Sequence, residues 1–210
     1  MGKMFYKFVK RLFDIVFAII GCILMVPVAI VIKIAYLLDG DTHSIFYTQP
    51  RIGKDGKVFN MYKFRSMVWN ADEVLEKLLR QKKYRDQWAA YQKLDNDPRV
   101  TKIGKIIRHG SIDEIPQFIN LLKGEMSLIG PRPLIPGELK SHNVRWKFIQ
   151  QYKNAKPGIT GYWATRGRSD IDYEERVKME LFYIDNASVV LDGKIFFRTF
   201  GAIFRKDGAK

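Results

Sequence analysis

Two adjacent carboxylates, Asp113 and Glu114, stand between cationic stretches of a basic chain. Upstream runs Lys102-Ile103-Gly104-Lys105-Ile106-Ile107-Arg108, and downstream comes Gly130-Pro131-Arg132-Pro133. A carboxylate ringed by cations keeps a low pKa, stays ionised at neutral pH and can attack an electrophile. Its acidic neighbour repels it unless a cation lies between them. Mg²⁺, which prefers hard oxygen ligands and bridges diphosphate oxygens, suits that place. Lys63, Arg108 and Arg132 supply positive charge for polyphosphate, and the two prolines around Arg132 present its guanidinium with little entropy to lose. The chemistry this pattern points to is phosphoryl transfer at a pyrophosphate bond.

A plainer role for the same residues is capping. Ser111 with Glu114 matches a capping box, while Asp113 as N-cap places Pro116 in a tolerated first turn. Either register predicts a helix ending at Gly124, with Ile115, Phe118, Ile119 and Leu122 on one face. Either also puts the carboxylates at the positive end of a helix dipole.

Several elements must position these groups. From Ile15 to Ile32 the chain carries no charge, after Lys3, Lys7, Lys10 and Arg11. Such a run is long enough to enter a bilayer. Pro27 falls within it and removes the bond to the Ile23 carbonyl, which predicts a helix–break–helix. Basic flanks on both sides favour a re-entrant hairpin that keeps both on one face. Ile45–Gln49 and Val58–Tyr62 read as strands around an Asp55-Gly56 turn. A long charged helix is predicted from Ala71 to Leu94, with Asn70 and Glu73 as a capping box. Lys102–Arg108 and the aromatic stretch Ile195–Phe204 read as amphipathic helices at a headgroup plane.

Composition limits the alternatives. The 210 residues hold 36 Lys and Arg against 22 Asp and Glu, a net charge of +14, which favours anionic partners. One cysteine, Cys22, leaves no intrachain disulfide, and the three histidines have no zinc spacing. A membrane-tethered module for nucleic acid or anionic lipid fits the charge, through Tyr62-Lys63-Phe64-Arg65 and Lys83-Tyr84-Arg85. It gives Asp113 and Glu114 no role. A scaffold without activity is a further alternative, against which the intact acidic pair counts.

The motifs Tyr62-Lys63-Phe64-Arg65-Ser66-Met67, Asp97-Pro98-Arg99, Arg108 with Ser111 to Gln117, Asn120 to Pro133, Lys156 to Gly161 and Gly167-Arg168-Ser169 occur in order. Over Lys10 to Ala209 the chain resembles the bacterial sugar transferases, monotopic phosphoglycosyl transferases acting on polyprenyl phosphate. The resemblance implies transfer of sugar 1-phosphate from a UDP-sugar to undecaprenyl phosphate, with release of UMP. This would be the first membrane step of a lipid-linked exopolysaccharide, capsule or O-antigen glycan. It implies Asp113 as nucleophile, Glu114 as its partner in Mg²⁺-dependent catalysis, and Lys63, Arg108, Arg132 and Arg168 as phosphate- or substrate-binding residues.

The fold it implies is α+β and mostly helical. A membrane-inserted re-entrant segment over 1–40 precedes a catalytic domain over 41–210 on the cytosolic face of the bacterial inner membrane. No nucleic-acid partner is expected, and a homodimer stays open. Two positions depart from the family pattern: Val26 where serine often precedes Pro27, and Tyr162-Trp163-Ala164-Thr165 where glutamine often follows the Pro-Gly-Ile-Thr-Gly block. Gly167-Arg168-Ser169-Asp170 leans towards glucose or galactose rather than an N-acetylated sugar.

Overall fold

A computed structural model describes residues 2–91, 94–138, 146–166 and 171–205. Helices dominate. In chain order they are α1 (Gly2–Leu38), α2 (Ala71–Leu79), α3 (Lys82–Tyr91), α4 (Lys102–His109), α5 (Gln117–Lys123), α6 (Trp146–Asn154), α7 (Tyr173–Asn186) and α8 (Val189–Arg205). Strands β1 (Phe46–Ile52) and β2 (Val58–Phe64) pair with each other, and β3 (Ser127–Ile129) pairs with β4 (Gly158–Thr160). The mostly helical α+β expectation holds.

The residues cluster into two compact units that interleave along the chain. One contains 1–25, 48–62 and 116–210, and the other 26–47 and 63–115. These are groupings by contact and do not bear on the expected partition at residue 40, which is one by environment.

In the first unit the amino-terminal half of α1 is tied down by polar side chains. Asp14, 3% exposed, accepts from the Ser127 hydroxyl at 3.0 Å and from the Leu128 N–H at 2.8 Å. Arg11 donates to the Leu121 and Leu122 carbonyls, both at 3.0 Å, satisfying orphan acceptors at the end of α5. Gly21 lies where an added Cβ would meet the Phe118 ring at 2.2 Å, so only glycine permits this approach. Ser127 and Ile129 of β3 pair in parallel with Gly158 and Thr160 of β4. Leu134, Ile149, Tyr152, Val177 and Leu181 form one core cluster, and Ile129, Tyr183 and Ile195 another. Asn120, fully buried, accepts from the Tyr62 N–H and donates to the Asn60 carbonyl and the Glu125 carboxylate.

In the second unit Tyr36 and Arg65 organise the remainder of α1. The Tyr36 hydroxyl donates to the Arg65 carbonyl at 2.7 Å, and the Arg65 guanidinium lies 4.4 Å from the Tyr36 ring centre. Arg65 also donates to the Ser44 and Met67 carbonyls and pairs with Asp41 at 2.9 Å. These contacts give the arginine of Tyr62-Lys63-Phe64-Arg65-Ser66-Met67 a structural task.

Three expectations are corrected. The predicted 71–94 helix is two helices. At Arg80 and Gln81 the backbone turns to i→i+3 bonds, onto the Lys77 and Leu78 carbonyls, and Asn70 makes no side-chain cap. The 113–124 helix starts later, with Pro116 as N-cap and Gln117 as its first residue. Asp113 and Glu114 form part of a separate 3₁₀ turn, and Ser111 sits at φ 53° without a capping bond. Neither capping register is used. Helical assignment also runs through Pro27, so its missing N–H opens no gap in α1.

The β-hairpin matches its expectation. Its turn carries Asp55 and Gly56 at φ 59° and 73°, the pair of positive values that twists a tight hairpin correctly.

α1 is long and apolar enough to cross a membrane, and only 17% of its most hydropathic window is buried. Phe5, Phe8, Ile19, Ile23, Leu24 and Val31 are among its exposed side chains. α4 and α8 are amphipathic, as expected. Ile107 and Ile195 are buried at 4% and 1%, whereas Ile106 and Phe197 are about 70% exposed.

Candidate active site

Lys63, Arg108, Asp113 and Glu114 all lie in the second unit. Lys63 occupies the penultimate position of β2, and Arg108 the last turn of α4. The left-handed Ser111 reverses the chain after α4, so the 3₁₀ turn over Ile112–Glu114 brings the carboxylates back towards β2. Lys63 Nζ donates to Glu114 Oε1 at 3.0 Å and lies 3.7 Å from Asp113 Oδ2. The countercharge the acidic pair requires is therefore present as an ammonium.

The Asp113 side chain is 15% exposed and that of Glu114 44%. Burial pushes the Asp113 carboxyl up. Lys63 opposes this, Glu114 adds to it, and Arg108 opposes it again, with a net rise above the ordinary carboxylate value. The expected low pKa is thus overturned. Losing water costs the carboxylate more than two nearby cations return.

Arg108 is held by a residue the sequence did not single out. Its Nε donates to Ser66 Oγ at 2.7 Å. The Ser66 carbonyl accepts from Thr101 N–H, and Thr101 caps α4 by accepting from Gly104 N–H at 2.8 Å. Gly104 packs so closely on Ser66 that an added Cβ would fall 1.8 Å from the Ser66 carbonyl oxygen. That close approach sets the depth at which α4, and hence Arg108, is seated. Asp97 and Arg99 brace the same unit with a bidentate pair at 2.7–3.1 Å, Arg99 being 5.3 Å from the Trp88 ring centre. Burial raises the Asp97 carboxyl, but the bonds from Arg99 and the Arg108 charge outweigh it and hold it below the usual range.

Arg132 belongs to the other unit. Its N–H donates to the buried Glu180 carboxylate at 2.9 Å, and its guanidinium lies 5.8 Å from the Trp163 ring centre. Arg168 lies outside the described residues. Glu180 was not foreseen. Its signal was an acid on the buried stripe of α7, beside Val177 and Leu181.

Among the described residues no three His, Cys, Asp or Glu side chains converge as a metal site. Two carboxylates, as in Asp113 and Glu114, is a number of protein ligands that Mg²⁺ can use, since it completes its shell with water and substrate phosphate. These groups suit a charge-rich phosphate reaction: a partly desolvated carboxylate, a second one to hold a cation, and Lys63 and Arg108 beside them.

Comparison with known proteins bears on that reading. The model for the family "Bacterial sugar transferase" matches residues 5–206. The undecaprenyl-phosphate galactose phosphotransferase of Salmonella typhimurium is 42% identical over the whole chain, which covers 43% of that relative. The UDP-galactose-lipid carrier transferase of Erwinia amylovora is 43% identical, again over the whole chain and 43% of the relative. The exopolysaccharide production protein ExoY of Rhizobium meliloti is 39% identical over 95% of the chain and 87% of its own length. The chain thus spans less than half of the first two relatives and most of the third. With a family match over nearly its entire length, the chain belongs to the bacterial sugar transferase family.

Proposed function

We propose that the chain transfers sugar 1-phosphate from a UDP-sugar to undecaprenyl phosphate and releases UMP, initiating a lipid-linked glycan. The observation that carries this reading is the half-buried Asp113 carboxylate facing Lys63, with Glu114 on the same ammonium. The names of the relatives supply the substrate classes: undecaprenyl phosphate, a galactose donor and exopolysaccharide production.

In the first step an Asp113 carboxylate oxygen attacks the phosphorus that bears the sugar. The P–O bond to UMP breaks, and UMP leaves with the electron pair. In the second step a phosphate oxygen of the lipid attacks the same phosphorus, and the bond to Asp113 breaks. The products are the lipid diphosphosugar and free carboxylate, so no net proton is required. Burial aids the first step, because a more basic carboxylate attacks better once ionised. Lys63 and Arg108 screen charge on the phosphate, Arg108 with its guanidinium steadied by Ser66. Bound Mg²⁺ would supply further screening of the diphosphate, held by Glu114 and Asp113. Arg132 and Arg168 are proposed as further phosphate contacts from their sequence match alone.

The exposed apolar surface of α1 supports insertion in the inner membrane. The basic flanks on both sides of α1 favour a re-entrant path that returns to the same face, with the catalytic groups on the cytosolic side. Single cysteines at positions 3 and 54, in a Cys22→Ser background, should label from the same side of sealed vesicles. Labelling from opposite sides would reject the re-entrant path.

The activity test uses the protein in detergent with Mg²⁺, undecaprenyl phosphate and a panel of UDP-sugars. Continuous UMP release that needs both substrates, with UDP-galactose or UDP-glucose preferred, is the expected result. Absence of UMP with every donor would overturn the assignment.

A further inference from the structure

The loop Gly130–Pro133 is bonded at every residue. Gly130 N–H donates to the Thr160 carbonyl at 2.9 Å, and Gly158 N–H donates to the Pro131 carbonyl at 2.8 Å. Arg51 donates to the Pro133 carbonyl at 3.1 Å. Because Pro131 and Pro133 have no N–H, Arg132 carries the single amide donor of those three residues. A backbone carbonyl or an Asn side chain would meet that need. The acceptor here is instead a carboxyl, Glu180 Oε1, on a side chain with no exposed surface.

A buried carboxyl is a costly way to satisfy one amide, since desolvation penalises its charged form. Its surroundings add to the cost. Among the described residues, the buried polar atoms Glu180 Oε2, Tyr152 OH, Arg132 Nε and Arg176 Nε have no hydrogen-bond partner. Arg132 approaches from the loop, Arg176 from α7 itself and Tyr152 from α6, with Glu138 and Tyr173 in the same polar neighbourhood. Arg132 and Tyr152 also line a cavity of about 200 Å³, together with Pro131, Leu134 and Pro157. Burial raises the Glu180 carboxyl to about 8, against the pull of Arg132 and Arg176.

We propose that Glu180 is a positioning residue for Arg132. By holding the Arg132 amide N–H between the two prolines, it fixes the direction in which that guanidinium meets the donor phosphate. This rests on the reading of Arg132 as a phosphate contact. Below pH 8 the neutral carboxyl takes the amide and leaves the guanidinium free for substrate. Above pH 8 a buried negative charge beside Arg132 draws the guanidinium back, so the KM for UDP-sugar rises. The diphosphate diester of a UDP-sugar is fully ionised across that range and contributes no step near pH 8.

The test compares the full chain with Glu180→Gln and Glu180→Ala in UMP release between pH 6.5 and 9.5, with hydrogen exchange of the 128–136 peptide alongside. Alanine leaves a buried N–H unpaired, so KM at pH 7 should rise about tenfold with a smaller change in kcat. Glutamine keeps an acceptor but does not titrate. It should recover most of the lost KM, slow exchange of the peptide to the wild-type rate, and remove the KM step near pH 8. A pH step that survives in Glu180→Gln, or an unchanged KM and exchange rate in Glu180→Ala, would overturn the proposal. An inactive wild-type protein would instead refute the phosphotransfer reading and the role of the guanidinium within it. Exchange rates that followed the Ala and Gln pattern would still uphold the loop contact.

Discussion

Gly104→Ala tests how tightly α4 must seat for Arg108 to be held. At an ordinary helical position this change is favourable by about 1 kcal/mol, because alanine loses less backbone entropy. Here the added Cβ would lie 1.8 Å from the Ser66 carbonyl oxygen and 2.7 Å from its carbonyl carbon. Both are backbone atoms of a segment pinned by Thr101 N–H and by the Val68 N–H bond to the Arg99 carbonyl. No flexible side chain can yield. Relief requires α4 to retreat by more than an ångström, which weakens the Thr101 cap and draws Arg108 Nε away from Ser66 Oγ.

Overpacking of this kind costs about 3 kcal/mol, at the upper end of the usual range. The steric term therefore wins, and a net loss of about 2 kcal/mol follows. For a chain of this size that lowers Tm by roughly 4–8 °C. Thermal melting in detergent reads the stability, and UMP release at saturating lipid reads the KM for UDP-sugar, which should rise. If Gly104→Ala melts higher than wild type with unchanged KM, the close approach of α4 to Ser66 is wrong, and so is the account of Arg108.

Other outcomes follow from the same unit. Ser66→Ala leaves Arg108 Nε without its hydroxyl acceptor, and the KM for UDP-sugar should rise about tenfold at unchanged Tm; a normal KM would remove Ser66 from the account. Asp97→Asn breaks the bidentate pair with Arg99 and should cost about 2 kcal/mol at pH 7. The Asp97 carboxyl is held low in the folded chain, so its stabilisation is complete above the unfolded value near 3.8. It is lost as pH falls through the folded value. Melts of the two proteins should therefore converge at strongly acid pH, and a gap that persists there would contradict the ion pair as cause.

Much of the candidate site was legible because its chemistry lies in contiguous residues. Asp113 with Glu114, Lys63 after a strand and Arg108 at a helix end are visible as residue types, and their assembly about Lys63 follows the expected need for a countercharge. The Asp113 pKa was not legible. Cations can be counted along a chain, but the water lost around one carboxyl depends on the reversal at Ser111. Capping logic failed for a similar reason. Pro116 can serve as N-cap itself, and this freed the upstream acids for a 3₁₀ turn.

The parallel pairing of Ser127–Ile129 with Gly158–Thr160 joins segments three residues long and some thirty apart, too short for any periodic signal. The break at Arg80–Gln81 contains neither glycine nor proline. Asp14 and Glu180 are buried acids on helices with other charges, and only contacts from distant segments mark them as special. Asn120 and Arg65 were recognisable as motif residues, yet their tasks, stapling β2 to α5 and gathering the 41–67 segment, emerge only in three dimensions.

Covalent capture tests the central claim most directly. Protein incubated with Mg²⁺ and a UDP-sugar labelled in the sugar, without lipid acceptor, should release about one UMP per active chain. It should also gain the mass of one phosphosugar on the peptide containing Asp113, and undecaprenyl phosphate should then discharge it. Asp113→Asn should show neither burst nor adduct. An adduct on any other residue, or turnover by Asp113→Asn at the wild-type rate, would contradict the account.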